Sequence, residues 1–117
     1  MRHDESKLQQ ACVKWFRLAY PKLARLLFAV PNGGKRGIVE ASIMKAEGVV
    51  AGVADLLLLI PNATHHALGI EMKTSKGKQN DNQKAWQKDF EEHGGKYVVC
   101  RCFDEFRAEI ERYIDER

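Results

Sequence analysis

The chain has 117 residues, enough for one domain with a real core, and is 44% hydrophobic and 30% charged, a balance that suits a globular protein in water. No apolar run approaches the roughly 20 residues of a membrane span; the longest, ADLLLLIP, is about one buried strand. The net charge of +3 is only mildly basic, but basic residues concentrate at Lys35–Arg36 and at Lys73, Lys76 and Lys78, in or beside glycine-bearing loops, which permits a nucleic-acid partner or simply a solvated loop.

The first ten residues, MRHDESKLQQ, are polar from the second onward, which excludes an ordinary secretory signal. Leu8, Cys12, Trp15 and Ala19 then recur at helical spacing and predict a helix from about Asp4 to Ala19, stopped or restarted by Pro21. Leu23, Leu26 and Leu27 fit a short second helix. LFAVPN reads as a short strand ending at Pro31, and PNGGKRG as a turn or loop. That loop is not a phosphate-binding P-loop, because the Gly–x4–Gly–Lys–Ser/Thr spacing fails. IVEASIMKAEG is helical, with Gly48 as its stop.

Asp55 to Ile60 is a continuous apolar run, the pattern of a strand buried on both faces. PNATHH is short enough to make a hairpin with a strand from Ala67 to Thr74. After the loop SKGKQN, Asn80 caps a helix over Asp81 to His93 on which Gln83, Trp86, Gln87 and Phe90 share a face. KYVVCRC is a strand, with Cys100 and Cys102 packing on one of its faces. Phe103, Phe106, Ile110 and Tyr113 or Ile114 line a last amphipathic helix. Three cysteines without a CxxC pair point to a reducing compartment, the cytosol, with neither a disulfide framework nor a zinc site. The strand–helix–strand portion needs a crossover and therefore a parallel pair. The expected fold is a mixed α/β domain, a single domain over residues 1–117, with helices against a central sheet.

Asp55, Glu71 and Lys73 carry the chemistry. Asp55 opens the apolar strand, and alternation sends Glu71 and Lys73 to one face, ~7 Å apart along their strand. A hairpin brings Asp55 near Glu71. Two carboxylates converging in a partly buried place repel each other and are tolerated with a divalent cation between them. Mg²⁺ fits this oxygen set, and the Met72 backbone carbonyl is the natural third protein ligand. A hydrated Mg²⁺ stabilises charge on a phosphate and acidifies a bound water. Lys73 then serves to hold charge and position water. Taken alone, Glu-x-Lys is equally the pattern of an exposed surface strand. The aromatic residues Trp15, Trp86 and Phe90 read as core, and His65–His66 as part of a turn.

The segments GVADLLLLIP and GIEMKTSKGKQNDNQKAW, together with VPNGGKR, EGVVAGVADL and GGKYVVCR, resemble the VRR-NUC (virus-type replication–repair nuclease) family of the PD-(D/E)xK nuclease superfamily. The match runs through nearly the whole chain in the family's order. Ala54 stands where the superfamily's name has proline, a residue that shapes a turn and binds nothing. The resemblance implies a restriction-endonuclease-like core, with Asp55 and Glu71 as metal ligands, Lys73 as the catalytic lysine and Gln83 as a site residue. It also implies an acidic residue on the first helix, matched by Glu5, acting on the metal directly or through water. Gln83 is equally placed to be the capping-box partner of Asn80, and Glu5 to be a solvated first-turn acid. Lys35, Arg36, Lys76 and Lys78 become candidates for DNA phosphate contacts. Small stand-alone members of the family resemble Mg²⁺- or Mn²⁺-dependent resolvases of four-way (Holliday) junctions, acting as homodimers in a bacterial or phage-infected cytosol. The other readings are a flap-type or restriction-like nuclease, a non-catalytic nucleic-acid-binding domain and a small structural protein.

Overall fold

The structure, a computed structural model, describes residues 2–31 and 37–116; Lys35 and Arg36 lie outside them. Helix α1 spans Arg2–Ala19, with Asp4 and Glu5 in its first turn and Arg17 in its last, each matched in sign to the helix dipole. A 3-10 turn, Pro21–Leu26, leads into strand β1, Leu27–Ala29. Helix α2 is Ile38–Ala46, strand β2 is Leu56–Leu58 and strand β3 is Ala67–Met72. Helix α3, Asp81–Glu92, strand β4, Gly95–Cys100, and helix α4, Phe103–Asp115, complete the described chain.

The four strands form one sheet in the order β1–β2–β3–β4. The first two pairings are antiparallel; β3 and β4, joined by α3, are parallel. The expected hairpin and the expected crossover are therefore both present. One sheet face carries Leu68, Ile70 and Met72 of β3 and Leu56 and Leu58 of β2 into a core closed by Cys12 and Phe16 of α1 and Phe106, Ile110 and Tyr113 of α4. At ~1.5–3 kcal/mol for each large apolar side chain removed from water, this layer supplies most of the driving force for folding. Tyr113 buries its ring here and satisfies its hydroxyl by donating to the Ile60 carbonyl at 2.6 Å.

Helix α3 covers the other face. Its Phe90 ring lies where a side chain on Gly95 would be: a Cβ there would sit 2.4 Å from the ring. Trp86 stacks on Phe90 with ring centroids 4.6 Å apart and reaches Tyr97 of β4 at 6.2 Å.

Several expectations change in detail. The short helix after Pro21 is a 3-10 turn, and Leu27 belongs to β1. Strand β2 is buried on one face only: Leu56 and Leu58 are fully buried, Leu57 is half-buried and Leu59 is exposed, because α3 packs over β3 and β4 and leaves the second face of β2 partly open. Strand β3 stops at Met72, although the Lys73 N–H still donates to the Cys100 carbonyl at 3.0 Å. Cys102 does not pack beside Cys100: it is exposed at the position just before α4, without a side-chain capping bond, while Cys100 is buried. Burial pushes the Cys100 thiol up to about 12, and Cys12 up to about 11.

Candidate active site

Alternation along β3 sets the site. Its even-numbered residues enter the core, so Glu71 projects to the α3 face, where it is 1% exposed. A carboxylate buried to that degree needs partners. Gln83 Nε2 donates to Glu71 Oε2 at 2.9 Å, the Tyr97 hydroxyl donates to Oε1 at 3.2 Å, and Lys73 Nζ lies 3.7 Å from Oε2. Lys73 is itself largely buried, with 12% of its side chain exposed.

Asp55 sits one residue before β2 and is pinned from both sides. Its carbonyl accepts from the Val30 N–H at 2.9 Å, and its Oδ2 accepts from the Met72 N–H at 2.7 Å. In an extended strand the N–H and C=O of one residue point the same way. The Met72 carbonyl therefore also faces the Asp55 side.

The electrostatics are those of two crowded acids. Glu71 is pushed up to about 8, chiefly by burial, then by the negative charge of Asp55 and a hydrogen bond with its carboxyl; Lys73 and Tyr97 pull the other way. Burial also raises Tyr97, and the Glu71 charge adds to this. One ammonium beside two carboxylates leaves the pocket a charge short of neutrality when both are ionised. That donor set fits a hard divalent cation. No group of three or more His, Cys, Asp or Glu side chains converges among the described residues, so such an ion would rest on two carboxylates, main-chain oxygen and water.

Gln83 does two jobs. Asn80 Oδ1 accepts from the Gln83 N–H at 2.8 Å, and Gln83 Oε1 accepts from the Asn80 N–H at 2.9 Å, a complete capping box. The side-chain oxygen is thus fixed in the cap, and the amide nitrogen is left aimed at Glu71. The capping box expected for Gln83 is present, and the same side chain also contacts Glu71.

Glu5 is half-buried and lines the same cleft as Asp55. This cleft, about 720 Å³, runs between α1 and the Ala29–Pro31 segment. Lys76 and Lys78 are exposed on the loop after β3. Arg101 holds that loop: its Nη1 donates to the carbonyls of Thr74 at 2.8 Å and Gly77 at 2.6 Å. His65 and His66 lie in the β2–β3 connection and take no part in the site; the His65 ring bonds with the Thr64 hydroxyl.

Sequence reasoning missed four contributors. Tyr97 orients Glu71, and Gln79 orients Tyr97, donating to its hydroxyl at 3.0 Å and to Gln87 Oε1 at 2.9 Å. A tyrosine in the apolar strand KYVVC was a signal, since a buried phenol requires a partner, but its partner depended on the β3–β4 register. Arg101 is the third. Gly52 is the fourth: it has φ +89°, and a Cβ there would lie 2.3 Å from the Asn82 carbonyl oxygen. Only glycine lets the segment before Asp55 touch the first turn of α3, and this contact sets Asp55 relative to Gln83.

A mixed sheet whose neighbouring strands bring Asp, Glu and Lys together, with a glutamine returned by the crossover helix, defines a nuclease-type domain with a restriction-endonuclease-like PD-(D/E)xK core. Within that class the chain belongs to the VRR-NUC family, whose domain model matches residues 1–104. A solved structure described as a VRR_NUC domain protein superposes with a TM-score of 0.84 at 26% identity, covering 96% of this chain and 88% of the other. No functionally curated protein matches the chain.

Proposed function

We propose that this chain is a Mg²⁺- or Mn²⁺-dependent endodeoxyribonuclease that cuts four-way junctions as a homodimer. The observation that carries the reading is the buried Glu71 carboxylate, held against Asp55 with a single lysine beside it. Burying one carboxylate near another costs several kcal/mol unless a cation compensates, so an arrangement of this kind is expected where a metal binds.

Asp55, Glu71 and the Met72 carbonyl would hold the ion. Asp55 Oδ2 is tied to the Met72 N–H, which fixes the orientation of its carboxylate. Gln83 and Tyr97 each fix one oxygen of Glu71, so the carboxylate cannot rotate away. When bound, the ion supplies stabilisation of charge on the phosphate and an acidified water. Lys73, charged and largely buried, holds a non-bridging phosphate oxygen and orients the attacking water. Glu5 takes the outer side of the cleft and acts through water. Lys35, Arg36, Lys76 and Lys78 meet the DNA backbone. The family resemblance supports the branched substrate, and symmetric nicking of a junction requires two active sites, hence two copies.

The test is a cleavage assay on labelled four-way junction, flap and linear duplex, each with Mg²⁺, Mn²⁺ or chelator. Paired nicks in the junction are expected with either metal, with loss on Asp55→Asn or Lys73→Ala. No cutting of any substrate with any metal would refute the enzyme. Preferential cutting of the flap would move the activity to the flap-nuclease reading. A monomer in light scattering with bound junction would refute the dimer.

A further inference from the structure

We infer that the cleft between α1 and the Ala29–Pro31 segment is a channel for the DNA backbone, in which Lys14 and Arg17 hold phosphates of the strand leaving the Asp55–Glu71 site. The inference rests on the nuclease reading above and adds a binding surface to it. The cleft is lined by two acids, Glu5 and Asp55, and by two cations, Lys14 and Arg17, which lie further along α1 than Glu5. Gln10, Lys14 and Arg17 follow one another at i, i+4 and i+7, so they form one stripe on the helix. Ser6, Gln9 and Gln10 add uncharged hydrogen-bonding groups to the lining.

The two cations are placed for an external partner. Both are exposed and, among the described residues, neither takes part in an ion pair; Lys7, Lys22 and Lys84 share that state, but only Lys14 and Arg17 line the cleft that Asp55 also lines. At 1.5 Å of rise per residue, Lys14 and Arg17 lie ~14 and ~18 Å along the helix from Glu5. A polyanion whose scissile phosphate sits beside Asp55 would thus meet positive charge again further along α1. The helix dipole alone would also favour Arg17 in the last turn, but that role affects stability and not DNA affinity.

The experiment is equilibrium binding of a fluorescently labelled four-way junction and a linear duplex, with Ca²⁺ replacing Mg²⁺, across a salt series. The double variant Lys14→Gln/Arg17→Gln is compared with wild type and with Lys88→Gln/Arg107→Gln, which removes the same charge elsewhere. Two lost phosphate contacts should lower the slope of log K against log salt by about 2 and weaken binding roughly 30-fold near 0.15 M salt. The control should bind within about twofold of wild type. An unchanged affinity and slope in the α1 variant, or an equal loss in the control, would overturn the channel. Wild-type protein that neither binds nor cuts any DNA would instead overturn the nuclease reading itself.

Discussion

The Glu71→Gln variant should be more stable than wild type in the absence of metal, and the size of the gain follows from the site. Glu71 titrates near 4.5 in an unfolded chain and about 8 in the fold. The native state therefore holds an extra proton between those values, and stability falls as the pH rises across that window. The Glu71 contribution is most favourable below 4.5, and its whole penalty is present above 8. At about 1.4 kcal/mol per pH unit, wild type has given up about 3 kcal/mol by pH 7. Glutamine has nearly the same shape, keeps an oxygen for the Gln83 amide and does not ionise. In chelator at pH 7 it should recover most of those ~3 kcal/mol, which for a domain of this size raises the melting midpoint by about 10 °C. The assay is thermal unfolding of both proteins from pH 5 to 9 in chelator, repeated with Mg²⁺. Mg²⁺ should raise the midpoint of wild type only, since binding to the native state stabilises by mass action. Equal midpoints in chelator at pH 7, or parallel pH dependences, would refute the account of Glu71 as a carboxylate held at a cost for function.

Gly52→Ala should lose at least ~2 kcal/mol and reduce cleavage, because positive φ and the 2.3 Å approach to the Asn82 carbonyl both oppose a Cβ; stability and activity matching wild type would contradict the contact. Tyr97→Phe leaves one Glu71 oxygen without its donor and should weaken Mg²⁺ binding ~10-fold by calorimetry, with little change in DNA affinity measured in chelator. Arg101→Ala frees the Thr74–Gly77 loop and should raise KM for DNA more than it lowers kcat, readable in steady-state cleavage. A thiol reagent should label Cys102 rapidly in the native protein and reach Cys12 and Cys100 only on unfolding, because both are fully buried with raised thiol pKa values.

Much of the site was written in the local sequence. Alternation alone separates Glu71 and Lys73 from Leu68, Ile70 and Met72, and a short connection forces the hairpin that carries Asp55 toward them. The Asn80–Gln83 capping box is likewise a spacing of three residues, and it formed. These features depend on backbone periodicity and on contacts within one turn or hairpin, which is why a single sequence determines them. What joins the pieces is long-range. The parallel β3–β4 register decides that Tyr97 meets Glu71, and the packing of α3 decides that Gly52 touches Asn82. The same packing leaves Leu59 exposed in a run that reads as wholly buried. That Glu5, Lys14 and Arg17 border the same cleft as Asp55 follows only from α1 lying beside the Ala29–Pro31 segment. Side-chain spacing fixes which groups can share a face; only the docking of helices on the sheet decides which faces meet, because that choice is made by the fit of the whole core.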